Sequence, residues 1–425
     1  MNIFTNISIF TLVNGLIGAI LLLFYIYQLL FIPISAFRKP RSFPYAAPLR
    51  YAILISARNE ADVIGILIDS IKAQNYPADM VDTWVIADNC TDNTAEIARG
   101  KGAFVVEREN KELIGKGYAI NYLLSHISNE GRDWNYDGYF VIDSDNILDP
   151  DFVAEMNKAV ASGCRVATCY RNSKNYGDNW LSASYALWFL RESKYLNNAR
   201  QLLGLSAACS GTGFVVHRDI LEKYGGWNYF TLTEDVEFTF AMVAAGEKIG
   251  YCAAAIVYDE QPVRFKDSWK QRTRWVKGYF QAYTRYGLKL LKRLLTKGDF
   301  SCYDMLVSTF VGAILPAFYV LFYLGALIVF LVMGYGLLNL LFNFIGFMLG
   351  CYFTVFAVGL ITTLTEWKKI YCGKVRKSVY CITFPLFLFS LLLITLCAPF
   401  SKERWSPVKH IRAVDLTDIV KGTKH

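Results

Sequence analysis

Histidine is scarce in this sequence, four in 425 residues, which leaves few candidates for a metal site built on imidazole. Ten cysteines are present, but no two stand at CxxC spacing, so no zinc module is indicated. Several lie in apolar runs, where a free cysteine behaves as a small hydrophobe. Charge is also thin: 19% of residues are charged and 54% hydrophobic, against about 25% and about 45–50% in soluble domains. A chain this long holds two or three domains and buries a core without staples. Together these features exclude a secreted disulfide scaffold, a disordered tail protein and a simple cytosolic enzyme. There is no internal repeat and no low-complexity segment. The net charge of +8 raises the question of nucleic acid. The basic residues cluster beside apolar segments, however, which fits an anionic membrane surface and no nucleic-acid partner.

Charge is absent altogether from residues 1–37. Ile9–Phe31 is long enough to cross a bilayer, which takes about 20 apolar residues. There is no basic segment before it and the run is too long for a cleaved signal, so 1–37 reads as an N-terminal transmembrane helix. Lys39, Arg41 and Arg50 follow, which puts the next segment in the cytoplasm. Residues 45–263 read as a soluble domain. Residues 264–300 carry Trp275, Tyr279, Tyr283 and Tyr286 at near-helical spacing among arginines and lysines, the pattern of interfacial amphipathic helices. From Met305 to Thr365 charge is again absent, room for two spans with a turn near Gly334–Asn339. After the basic loop Lys368–Lys377, a third apolar stretch, Ser378–Phe400, contains Pro385. The region 301–400 therefore reads as about three spans, and 401–425 as a polar basic tail. Three crossings would put that basic tail outside. Either the last stretch is a hairpin or re-entrant segment, or the positive-inside rule is overridden. The expected setting is a multi-pass protein of the plasma membrane with its soluble domain cytoplasmic.

Within 51–260, short β-branched runs (Tyr51–Ser56, Trp84–Ala87, Ala103–Val106, Tyr139–Ile142) alternate with helical stretches (Glu60–Gln74, Asn93–Gly100, Lys116–Ile127). Alternation of this kind predicts βαβ units in a mostly parallel sheet flanked by helices. Ligands bind beyond the carboxyl ends of such strands.

Five clusters stand out, the first three of them at those ends. Ala57-Arg58-Asn59-Glu60 and the Asx-rich run from Asp88 to Thr94 follow the first two strands. Such turns often serve only as helix caps, yet on one edge their carboxylates could also accept hydrogen bonds from a base or ribose. Asp143-Ser144-Asp145 follows the apolar strand Tyr139–Ile142. It could be a solvated turn, or two carboxylates holding a divalent cation whose shell a phosphate completes. Thr233-Glu234-Asp235 opens a helix. Acids there favour the helix dipole, or one serves as a general base for a hydroxyl. Gln271-Arg272-Thr273-Arg274-Trp275 is either an interfacial face or a diphosphate-binding arginine beside an aromatic face for a sugar.

In this order the five clusters resemble the family 2 inverting glycosyltransferases, especially the membrane branch with cellulose, hyaluronan and poly-N-acetylglucosamine synthases. The resemblance covers roughly residues 50–290. It implies a GT-A type nucleotide-sugar-binding domain with flanking transmembrane and interfacial helices. It also implies that Glu60 and Asp88 contact uridine in a pocket lined by Ala57 and Arg58, and that Lys116 contacts the nucleotide. Asp143 would lie by the ribose or donor sugar, and Asp145, with Asp143, would hold Mg²⁺ or Mn²⁺. Asp235 would be the general base, supported by Glu234. Gln271, Arg274 and Trp275 would hold the diphosphate and acceptor, and Ser210–Phe214 resembles an acceptor-side segment. The sequence departs from the family in having fewer spans than cellulose synthases and a different Ser210–Phe214 segment. No regulatory module follows the last span.

The expected activity is transfer from a UDP-sugar, UDP-N-acetylglucosamine or UDP-glucose, to a growing β-linked polysaccharide. The alternatives are single transfer to a membrane lipid and an inactive membrane scaffold. A transporter is disfavoured because the spans hold almost no ionisable residue.

Overall fold

A computed structural model of the chain describes residues 3–132, 135–308, 312–334, 337–401, 414 and 416–421. Its strands are β1 (Tyr51–Ala57), β2 (Val81–Asp88), β3 (Phe104–Arg108), β4 (Gly138–Asp143), β5 (Ile147–Leu148), β6 (Val166–Ser173), β7 (Phe214–His217) and β8 (Ile249–Asp259). They form one sheet in the order β3-β2-β1-β4-β7-β6-β8-β5. β1–β4 are mutually parallel, β7 is antiparallel to both β4 and β6, and β8 is parallel to β6. Six of the eight strands therefore end at one edge. This is the mixed, mostly parallel α/β sheet expected from the strand–helix alternation.

Helix α1 (Ile3–Phe37) precedes the sheet; α2 (Ile64–Lys72), α3 (Thr94–Gly100), α4 (Lys116–Asn129), α5 (Phe152–Ala161), α6 (Trp180–Arg191), α7 (Asn198–Leu202), α8 (Arg218–Tyr224) and α9 (Glu234–Ala245) are interleaved with its strands. The period of two along β1 sets the layers. Tyr51, Ile53 and Ile55 join a core with α2 and α5, while Ala52 and Leu54 join the opposite core with α4, α6 and α9. Both faces of the strand are buried, which is why it reads as a continuous apolar run.

The segment expected to be interfacial is one helix, α10 (Phe265–Lys297), stopped by Gly298 at φ 62°. Then come α11 (Phe300–Leu306), α12 (Gly312–Val332), α13 (Leu337–Thr365), α14 (Lys374–Cys397) and α15 (Leu416–Lys421). The charge-free run is thus not spanning from its start. Met305 lies in α11, packed on α9 and α10. Asp304 of α11 takes the Arg200 guanidinium at 2.6 and 3.0 Å and the Tyr27 hydroxyl at 2.8 Å. A buried pair of this kind costs about 3–5 kcal/mol to break, so it locks α1, α7 and α11 together.

Leu340–Thr365 and Lys374–Phe400 are long and apolar enough to cross a membrane, and a third candidate is α1, bent by 44° between Thr11–Ile20 and Leu22–Phe37. The last C-terminal stretch nevertheless differs from a free span. At its start Arg376 donates to the Gly177 carbonyl (3.2 Å). In its middle Arg272 donates to the Phe387 carbonyl (2.9 Å) and to Ser390 (2.6 Å). Just past its end Lys277 donates to the Ser401 carbonyl (2.5 Å). Phe384 and Phe387 belong to the α4–α6–α9 core. Helix α14 therefore packs against α13, α6, α12 and α10, with both its ends bonded to the domain. Ile419 of α15 packs with Ile147 and Tyr258, so this part of the tail also sits on the domain. Most of the remaining tail is outside the described residues.

Candidate active site

The carboxyl ends of β1 and β2 are turned sharply. Asn59 and Asn89 adopt φ of 58° and 55°, a left-handed conformation asparagine tolerates. The turns are laced together: Thr91 N–H donates to Asn59 (2.7 Å), Glu60 N–H to Thr94 (2.9 Å) and Thr94 N–H to Asp92 (3.1 Å). Asp92 and Asn59 thus tie the two turns to each other, and Glu60 and Asp88 line the cavity. Arg108, at the end of β3 in register with Asp88, donates to one Asp88 oxygen at 2.5 Å and to the Leu113 carbonyl at 2.7 Å. Asn89 donates to the same oxygen at 3.1 Å.

Lys116 opens α4 and reaches across the edge. It pairs with Asp143, donates to the Gly211 carbonyl (2.6 Å) and stands 3.9 Å from Glu234. Asp143 N–H donates to Thr212 Oγ1 (2.9 Å), whose hydroxyl donates to Asn146 (2.5 Å). Asp145 is buried and accepts the Glu260 N–H (3.1 Å). The loop Ser210–Phe214 is the hub between these groups. Gly213 has φ 71°, and a Cβ there would lie 2.3 Å from Cys169 Sγ, so only glycine fits.

The first turn of α9 carries three acids, and they differ in role. Glu237 accepts the N–H groups of Phe230 and Thr231, both at 2.8 Å, and pairs with Arg285, so it is structural. Glu234 and Asp235 line the cavity. Burial pushes the Glu234 carboxyl up to about 7; Lys116 holds it down and the Asp235 charge adds to the rise. Burial raises Asp235 as well, against the pull of Lys116 and of the Val236 and Gly211 N–H groups. Two glycines let neighbouring helices press on this turn. A Cβ on Gly117 would lie 2.0 Å from the Tyr229 carbonyl, and one on Gly278 would lie 2.3 Å from Thr233 Oγ1.

On α10, Gln271, Arg274 and Trp275 face the same cavity. Arg274 makes one long bond, to the Leu232 carbonyl (3.4 Å), and Gln271 Oε1 is buried with no partner. Trp275 meets Tyr185 edge-on at 5.6 Å. Arg272 points away and is buried against Phe387, 4.4 Å from its ring.

One cavity of about 650 Å³ therefore gathers Arg58, Glu60, Asp88, Lys116, Asp143, Asp145, Glu234, Asp235, Gln271, Arg274 and Trp275. Ala57 is the exception. It is buried in β1 and packs into the α2–α5 core, because its side chain alternates away from the ligand face. Residues that sequence reasoning missed also stand here. Arg171 is paired with Asp259 at the end of β8, and Glu192 follows α6. Asp259 marks a strand end, as the other acids do, but β6 and β8 were not read as strands.

No three His, Cys, Asp or Glu side chains among the described residues group to hold a metal alone. Asp143 pairs with Lys116, and Asp145 and Asp259 both accept from Asn146 (3.3 and 3.1 Å), Asp259 being held also by Arg171 (2.9 Å) and Gln261 (2.7 Å); these carboxylates are the ligand type a hard divalent cation takes. Such ions take one or two carboxylates and complete their shell with diphosphate oxygens.

A beta-monoglucosyldiacylglycerol synthase of Nostoc sp. (strain PCC 7120) is 30% identical over 272 residues, 62% of this chain and 56% of the relative. A Staphylococcus aureus (strain MW2) poly-beta-1,6-N-acetyl-D-glucosamine synthase is 26% identical over 286 residues, 64% of this chain and 63% of the relative. The matched segments thus span less than two thirds of these relatives. Among solved structures, the mannosyltransferase PcManGT from Pyrobaculum calidifontis, in complex with GDP-Man and Mn²⁺, superposes with a TM-score of 0.52 at 15% identity. That likeness covers 92% of this chain and 99% of that one and concerns the fold. The profile of the family described as glycosyltransferase like family 2 matches residues 48–278, more than half of the chain. On that match, over a GT-A-like sheet with its acids gathered at one edge, the chain belongs to glycosyltransferase family 2.

Proposed function

We propose that the protein transfers a sugar, glucose or N-acetylglucosamine, from its UDP conjugate to a hydroxyl of a membrane lipid, with inversion. One observation carries the choice of a lipid over the polysaccharide expected from sequence. The cavity does not end at the acids. It continues between α1, α12, α13 and α14, lined there by Ile32, Val320, Phe347, Val355, Leu388 and Leu391. The hydroxyls of Tyr319, Thr354 and Thr395 on this wall are spent on Asn14 and on carbonyls of their own helices, so it suits acyl chains and offers a passing glycan little to hydrogen-bond. A polysaccharide remains the second reading, favoured by the Trp275 ring in the cavity.

Uracil is supported by Asp88. Its one oxygen is taken by Arg108 and Asn89, which leaves the other for a ligand. One oxygen serves the one N–H on uracil's pairing edge, whereas guanine's two adjacent donors are met best by both carboxylate oxygens side by side. In the transfer, the acceptor hydroxyl attacks the anomeric carbon in line, Asp235 takes its proton, and UDP leaves with the bonding electrons. Arg274 and Lys116 supply positive charge to the departing diphosphate. Asp145 and Asp143 would hold Mg²⁺ or Mn²⁺, which when bound also offsets the diphosphate charge. Burial raises the Asp235 carboxyl above the usual carboxylate range, and the Gly211 and Val236 N–H groups pull it back down. Lys39, Arg41, Arg50 and the loop before α14 lie on the domain's side, which supports a cytoplasmic domain.

The test is Asp235→Asn in purified protein. UDP binding is expected within about twofold of wild type and sugar transfer below detection. Substantial transfer by this variant would overturn the assignment of the base.

A further inference from the structure

The throat between the acids and the apolar tunnel is itself polar. Helix α6 ends at Arg191 and continues as a π-helical turn, Glu192–Asn197; such wide turns recur at functional sites. Arg191 and Glu192 both line the cavity. The neighbouring arginines are neutralised, Arg171 by Asp259 and Arg200 by Asp304. Arg191 instead donates to Gln28 Oε1 of α1 (2.8 Å) and has no ion pair among the described residues. Glu192 accepts the Ser210 hydroxyl, one residue from the Gly211 N–H that holds Asp235. A donor cation and an acceptor carboxylate thus sit side by side where a lipid's polar end must stop for its hydroxyl to meet the base.

We propose that Arg191 and Glu192 form the acceptor headgroup subsite and select a neutral, hydroxyl-bearing headgroup, the glycerol or first sugar of an acylglycerol. A hydroxyl both donates and accepts, so it satisfies the carboxylate and the guanidinium together. A phosphate would gain from Arg191 but would stand against Glu192, Glu234 and Asp235. This inference rests on the lipid reading above.

The test uses the full chain in phosphatidylcholine nanodiscs doped with dioleoylglycerol, a monoglucosyl diacylglycerol or phosphatidylglycerol, with labelled UDP-glucose and UDP-N-acetylglucosamine. Transfer to one of the neutral lipids is expected at least about tenfold faster than to phosphatidylglycerol. Glu192→Gln is expected to raise the KM for that lipid about tenfold or more. Its kcat and UDP affinity should stay within about twofold, a split that a merely structural role would not give. Arg191→Lys serves as the second variant, with the same split expected, in case the glutamine protein does not fold. An extractable product with phosphatidylglycerol preferred, or an unchanged acceptor KM in the folded variants, overturns the headgroup inference alone. A product that is water-soluble with every lipid overturns the lipid reading and this inference with it.

Discussion

Glu234→Gln probes the electrostatics on which proton transfer depends. Glu234 titrates at about 7 in place of 4.5. One unit corresponds to about 1.4 kcal/mol, so charging this carboxyl costs roughly 3 kcal/mol more in the protein than in water. The shift comes mainly from burial, with the Asp235 charge adding to it, and the two acids lose their protons as a pair. The protonated form is the one favoured in the folded state, so the doubly charged pair exists above about 7 and declines tenfold per unit below it. In the singly protonated pair the remaining charge is the weaker base, so proton removal that uses the doubly charged pair should follow. In wild type, kcat/KM is expected to fall as pH drops through about 7. With glutamine at 234 the carboxyl that titrates at about 7 is gone, and the midpoint should fall below the wild-type one. Linkage gives a second readout. A raised carboxyl pKa contributes stability at low pH that is lost as pH rises from about 4.5 to about 7. The glutamine variant should therefore be the more heat-stable protein at alkaline pH and not at acid pH. The assay is initial rate against pH at saturating divalent metal, with UDP binding as the control for folding. A wild-type profile flat from roughly pH 5.5 to 8, or a variant with the wild-type midpoint, would refute the reasoning.

Three other outcomes are expected. Gly278→Ala forces a methyl onto Thr233, where 2.3 Å is available; the resulting strain of about 1–3 kcal/mol should lower kcat severalfold or more while UDP binding stays, and an unchanged kcat would show that α10 does not set the position of the acidic turn. Arg108→Gln leaves the buried Asp88 charge without its partner, so calorimetry should show UDP binding weakened by about tenfold or more and a smaller preference for UDP over GDP; an unchanged preference would remove Arg108 from base selection. Asp145→Ala should abolish metal-stimulated transfer, and a fully active variant indifferent to Mg²⁺, Mn²⁺ and chelator would remove this acid from metal binding.

Much of the site was legible because it sits where strand periodicity stops. Glu60, Asp88 and Asp143 follow apolar runs that can only be buried strands, and a parallel sheet brings their ends to one edge. Arg108 was missed because the third strand was read as ending at Val106, two residues before its true end. Arg171 and Asp259 come from β6 and β8, whose pairing across about eighty residues leaves no local signal. Glu192 lies in a helical stretch beside Arg191 and Lys194, and only the fold turns it toward the cavity. Helix α14 shows what hydropathy leaves open. Phe384, Phe387 and Leu388 would satisfy lipid as well as protein, and which one they meet depends on contacts with α6 and α10 that composition does not carry.

The central claim is that the acceptor is a lipid. Its most direct test is the size and solubility of the product made from labelled UDP-glucose and UDP-N-acetylglucosamine by the protein in nanodiscs, with Asp235→Asn as the blank. The account predicts a small labelled product that extracts into organic solvent and is absent from the blank. A high-mass, water-soluble product digested by glycosidases would contradict it and establish a polysaccharide synthase.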